Sequence, residues 1–144
     1  MACRRYQKST LYAYTQASQS VGVNLPVAFN NSQKTGCSIE LETPNIIELC
    51  NPGLYLVEFN GSAATSGTAG DITVQLQRNG VNVPGALATN TSSATTDIES
   101  LSFSTIIDVL PSCCAVNNQT NLSIINSGIA ATFANVAINI VKLA

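Results

Sequence analysis

Along most of this chain apolar and polar positions alternate with a period of two, in short runs separated by turn residues, and no window sustains a helical period. The first strand begins at Leu11 to Tyr14. Asn24 to Phe29 reads as a second, confined to an edge or a strand start because Pro26 has no N–H to give to a ladder. Asn30, Asn31 and Ser32 read as a loop. Ser38 to Glu42 sets Ile39 and Leu41 on one face against Glu40 and Glu42; Thr43-Pro44-Asn45 turns the chain, and Ile46 to Leu49 returns. Leu54 to Phe59 is apolar on both faces except at Glu58, as expected of a strand in the middle of a covered sheet. Asp71 to Arg78 alternates Ile72, Val74 and Leu76 against a solvated Thr73, Gln75 and Gln77. Asn79-Gly80 signals a hairpin, since both residues tolerate positive φ, and Val81 to Val83 pairs back as far as Pro84-Gly85. Residues 86–96 read as a long surface loop with an edge segment. Alternation resumes from Ile98 to Leu110, Pro111 to Asn118 is a loop, and Leu122 to Ile125 and Thr132 to Leu143 are the last strands.

About nine or ten short strands without a helix predict an all-β domain, a two-sheet antiparallel sandwich with jelly-roll topology. It would span residues 10–144, behind a polar, basic arm at 1–9. A chain of 144 residues can bury a core of its own.

Composition adds a constraint. Only 10% of the residues are charged while 45% are hydrophobic, so Ser, Thr, Asn and Gln must supply the polar surface, and part of the apolar exterior is expected to be covered by another subunit. Three of the six basic residues, Arg4, Arg5 and Lys8, lie in the arm, leaving three basic against eight acidic residues in the body. The body thus has no basic stripe for nucleic acid. The arm reads either as a solvated terminus or as an attachment point for an acidic partner. The apolar runs are strand length, and no signal peptide is evident, so cytoplasmic synthesis without a membrane span is the expectation.

The absence of histidine removes Ser-His-Asp and Cys-His nucleophile activation and the common zinc sites. Carboxylates two apart on strands, Glu40/Glu42 and Asp97/Glu99, read as solvated faces rather than an acid–base pair. Without Trp, and with Gly67 and Gly70 lacking a neighbouring Lys, neither a Trp sugar platform nor a phosphate loop is present. No enzyme activity, cofactor or metal site is therefore expected.

Five cysteines, Cys3, Cys37, Cys50, Cys113 and Cys114, form neither a disulfide framework nor a zinc pattern. A turn centred between Thr43 and Pro44 would pair 42 with 45 and so place Cys37 opposite Cys50, within disulfide reach, the bond itself left open by cytoplasmic synthesis.

Two strands carry a second apolar face. Tyr55, Val57 and Phe59 alternate with Leu54, Leu56 and Glu58, and Val136, Ile138 and Ile140 alternate with Ala137, Asn139, Val141 and Leu143. One set fills the core. The other requires cover, either a loop or a subunit interface made of Leu54, Leu56, Glu58, Ala137, Asn139, Val141 and Leu143.

The run Gly53-x-Tyr55-x-Val57-x-Phe59, with Phe29 and Asn31 upstream and Asn45 to Leu49 before it, resembles the signature strand of the complement-type and tumour-necrosis-factor-type jelly rolls. Asn79-Gly80-Val81-x-Val83-Pro84-Gly85 is similar to a hairpin of that superfamily's bacterial branch, found on spore-surface glycoproteins and in phage virion proteins. Val57 stands where many members have an aromatic residue, and no collagen-like stalk is present. The resemblance implies a homotrimer whose two doubly apolar strands lie side by side around a threefold axis. It implies a non-enzymatic phage capsid decoration or fibre head on a virion surface, with a capsid or fibre protein as partner. The alternative is the ligand-binding head of a spore-surface or adhesin protein, meeting a host-surface or glycan ligand through its outer loops.

Overall fold

The computed structural model describes residues 8–65, 68–93, 97–111 and 120–144. Its strands are β1 (Thr10–Thr15), β2 (Gln19–Val21), β3 (Asn31–Thr35), β4 (Ile39–Thr43), β5 (Ile46–Leu49), β6 (Gly53–Thr65), β7 (Gly70–Arg78), β8 (Val81–Ser92), β9 (Glu99–Val109), β10 (Thr120–Asn126) and β11 (Ala131–Lys142). One sheet has the order β3-β1-β11-β6-β9, with β2 also on β11; the other runs β4-β5-β10-β7-β8, and every pair is antiparallel. The fold is the expected all-β jelly-roll sandwich.

Period-two patterning decides which side chains meet between the sheets. Tyr55, Val57 and Phe59 of β6 and Val136, Ile138 and Ile140 of β11 point inward and are fully buried against Ile72, Val74 and Leu76 of β7 and Leu122 and Ile124 of β10. Phe59 makes an edge contact with Phe29 and stacks on Phe103, at centroid distances of 6.5 and 5.6 Å. The buried Tyr55 hydroxyl donates to the Asn51 carbonyl at 2.5 Å, so the core's largest side chain leaves no phenol unpaired. Gly53 sits at φ 151°, where an added Cβ would lie 2.2 Å from the Ala144 carbonyl oxygen; only glycine lets the end of the chain pass this close.

Several local expectations change. The segment 24–29 forms a single bridge, Pro26 to Ile125, rather than a strand, although Val27 still donates to the Ile124 carbonyl. Asn31 to Thr35, read partly as a loop, is an edge strand exposed throughout, paired only with β1. The Asn79-Gly80 turn has positive φ at both residues, 52° and 81°, as expected, but β8 does not stop at Pro84-Gly85. It absorbs them in a bulge opposite β7 and continues to Ser92, so residues 86–92 are strand.

That bulge also inverts the expected exposure of Gln75. Its side chain is 7% exposed, and its Nε2 reaches the carbonyls of Leu76, Val83 and Ala86 at 2.9, 3.0 and 3.2 Å. The amide satisfies acceptors that the interrupted ladder leaves unpaired. At the other end of the sequence, Ser9, placed in the arm, is fully buried, and its hydroxyl accepts the Ser38 N–H at 3.1 Å; it belongs to the body.

Candidate subunit interface

The register of β6 assembles the outward residues into rows. Leu56 lies between Val141 of β11 and Ile106 of β9, and Thr10 of β1 extends that row beyond Val141. Above it Leu54 stands beside Asp108, and its carbonyl accepts the Leu143 N–H at 2.7 Å. Below it Glu58 lies between Asn139 and Ser104, with Tyr12 beyond Asn139. In the next row Asn60 lies between Ala137 and Ser102, with Tyr14 beyond Ala137. All seven residues assigned to an interface thus share one outer face.

Their exposure is uneven. Leu54 is 39% and Leu143 49% exposed, Leu56, Val141 and Asn139 are half-buried, and Glu58 is exposed. Ala137 is already buried within the single chain. Three contributors were not identified from the sequence. Ile106, 58% exposed, extends the apolar row across β9, although alternation with the buried Ile107 was a signal for it. Tyr12 and Tyr14 alternate with the buried Leu11 and Ala13, and their rings stack at 5.0 Å and 24°.

The other candidates separate from this face. Lys8 is exposed, whereas Arg4 and Arg5 lie outside the described residues. So do Cys3, Cys113, Cys114, Gly67 and most of the loop placed at Pro111 to Asn118. The Cys37–Cys50 pairing is overturned: Cys37 is disulfide-bonded, but Cys50 is a free thiol. The physical reason is register. A bulge between Leu41 and Thr43 pairs Ile39 with Leu49, one residue off the expected match, and Cys50 donates its N–H to the Ser38 carbonyl instead. Burial, with Glu48 and Glu40 adding repulsion, pushes the Cys50 thiol up to about 11.

The carboxylates are equally dispersed. Glu40 is ion-paired with Lys34 across the β3–β4 edge, Glu42 is exposed, and Asp97 accepts the Ser93 hydroxyl at 3.0 Å. Among the described residues no cluster of His, Cys, Asp or Glu could hold a metal ion, and no helix is long and apolar enough to cross a membrane.

No family model matches the chain, and no curated protein does. Solved structures do. The globular domain of a zebrafish complement 1qA protein superposes with a TM-score of 0.66 at 11% identity, covering 94% of this chain and 97% of that one. The chain has the complement and tumour-necrosis-factor jelly-roll fold. Eiger, a tumour necrosis factor from S. frugiperda, matches with a TM-score of 0.67 at 15% identity over 98% of this chain and 94% of that one. The phage PRD1 vertex protein P5 matches with a TM-score of 0.55 at 16% identity over 96% and 97%. At these identities the likeness establishes the jelly-roll sandwich as the common fold.

Proposed function

We propose that the chain is a non-enzymatic structural head that assembles as a homotrimer on the surface of a virion. The observation that carries this reading is the outer face of β6 and β11. Leu54, Leu56, Val141 and Leu143 lie there in adjoining rows, although the sandwich is already closed behind them. A leucine side chain taken from water to burial contributes roughly 1.5–3 kcal/mol, so three copies meeting on this face gain considerable stability from groups the fold itself does not use. Glu58 from each copy would lie near the axis, beside Asn139 and Ser104, whose polar side chains can solvate it.

The virion assignment is supported by the likeness to the phage PRD1 vertex protein P5 and by the hairpin around Asn79-Gly80. The basic arm, with Arg4, Arg5 and Lys8, would attach the head to an acidic capsid or fibre partner. Electron microscopy of particles produced with and without the protein tests the location: threefold surface density should vanish when the protein is missing. Unchanged particles would contradict it.

A further inference from the structure

We infer that β3 is a docking edge for a second copy of this chain: the strand pairs antiparallel with β3 of another copy across a twofold axis centred on Gln33. This contact goes beyond the threefold assembly proposed above and uses no part of its apolar face. Every residue of β3, Asn31 to Thr35, is exposed, and among the described residues β1 is its only ladder partner. Edge strands are ordinarily blunted by a proline, a bulge or an unpaired charge. β3 has no proline and keeps an unbroken register with β1, and its one charge, Lys34, is tied to Glu40.

The polarity of the ladder decides which backbone groups are free. Lys142 donates its N–H to the Ser9 carbonyl at 2.9 Å, and Ser9 lies opposite Lys142 when the β1–β11 register is continued by one residue. In an antiparallel ladder such hydrogen-bonded pairs alternate with pairs that exchange no bonds. Leu11 and Ala13 therefore turn their backbone groups to β11, while Thr10, Tyr12 and Tyr14 turn theirs to β3. Thr35, Gln33 and Asn31, opposite those three, are satisfied by β1. Ser32 and Lys34 point their N–H and C=O groups the other way, to the side where no described strand pairs.

A second β3 fits that edge in register and in charge. With Gln33 opposite its own equivalent, Ser32 of each copy lies opposite Lys34 of the other and exchanges both N–H···O bonds with it, so every free group just named finds a partner. Asn31 then faces Thr35, and no like charges are opposed. Centring the pair on Lys34 would instead set two ammonium groups face to face. A five-residue ladder is small beside a standard interface of about 1,600 Å², so one such contact is weak. β1 separates β3 from β11 and β6, and a trimer built on those two strands would carry three free edges that act together. Threefold and twofold contacts combined generate a continuous layer, an arrangement suited to coating a particle. The layer, though not the pairing, rests on the homotrimer proposed above.

The test introduces Gln33→Cys in the full chain, mixes isotopically light and heavy copies, oxidises them mildly and maps the products by mass spectrometry. Opposed Cα atoms of a pair that exchanges no bonds lie about 4.5 Å apart, within disulfide reach. A 33–33 link between copies is expected, with light scattering giving assemblies larger than a trimer, and a dimer when Leu56→Asp is added. Ser32→Pro removes an N–H from the free side only, so it should abolish the link and leave the trimer and its β spectrum unchanged. Ser32→Lys, which opposes like charges in the pairing, should abolish the link as well. A trimer whose position-33 thiols alkylate readily but form no 33–33 link, or a link that survives both variants, would overturn the pairing and leave the trimer standing. Links from position 33 to Cys3 in its place would give the edge to the N-terminal arm and overturn the self-pairing. A 33–33 dimer without any trimeric mass would overturn the trimer and uphold the pairing.

Discussion

The inner and outer faces of β6 and β11 alternate along the same strands and both carry large apolar side chains, but only the inner face is sealed. Tyr55, Val57, Phe59, Val136, Ile138 and Ile140 are sealed against the second sheet. Leu54, Leu56, Val141 and Leu143, one step along the same strands, lie beside one another and beside Thr10, Ile106 and Asp108 in the single chain, and remain partly or largely exposed. The inner set decides whether the chain folds. The outer set is apolar beyond anything the fold requires, and the proposed assembly rests on that surplus.

Substitutions can break this division. Phe59→Ala on the inner face should leave a cavity among Phe29 and Phe103 and cost about 3–5 kcal/mol in denaturant unfolding, whatever the assembly state. A truncation on the outer face that cost the isolated chain as much would dissolve the distinction.

Cys50 sharpens it at the rim of the sandwich. A thiol raised from 9.0 to about 11 holds far less thiolate at neutral pH, an effect partly offset by the higher nucleophilicity of a more basic sulfur. Alkylation by iodoacetamide at pH 8 should run about tenfold slower at Cys50 than at an ordinary exposed cysteine, followed by peptide mass spectrometry. Because the folded-state value is the higher one, the contribution of this group to stability is complete below pH 9 and is lost as pH rises towards 11. Unfolding midpoints that stayed flat for the wild type, relative to Cys50→Ser, across that window would contradict it.

Gln75 is a polar side chain that behaves as an inner residue. Gln75→Ala should cost about 1–3 kcal/mol, since the carbonyls of Leu76, Val83 and Ala86 would lose their shared donor inside the protein. The smallest effect belongs to Lys34→Ala, which removes an exposed ion pair with Glu40 and should change stability by about 0.2–1 kcal/mol, shrinking further in high salt.

Legibility in the sequence followed the same physics. β7 and β10 could be read because one face of each is buried and hydrophobicity alternates with the pleat, and β6 and β11 because apolar runs of strand length follow turn signals. β3 could not, because a polar edge strand with no residue inside carries no alternation. The extension of β8 was hidden by Pro84-Gly85, ordinary stop signals that a bulge accommodates. The outer face was legible as a doubly apolar pattern on β6 and β11. Its neighbours Ile106, Tyr12 and Tyr14 came from strands that only the sheet order brings alongside. The Cys37–Cys50 match failed by one residue, because a bulge beside a turn changes which residues face each other without changing the hydrophobic pattern that marks the strands.

If the outer face serves association and not folding, Leu56→Asp compared with the wild type separates the two. Light scattering at micromolar concentration should give the wild type three times its 15.0 kDa chain mass and the variant a single chain mass, with the two far-ultraviolet circular dichroism spectra superimposable. A monomeric wild type, a trimeric variant, or a variant that loses its β spectrum would contradict the claim.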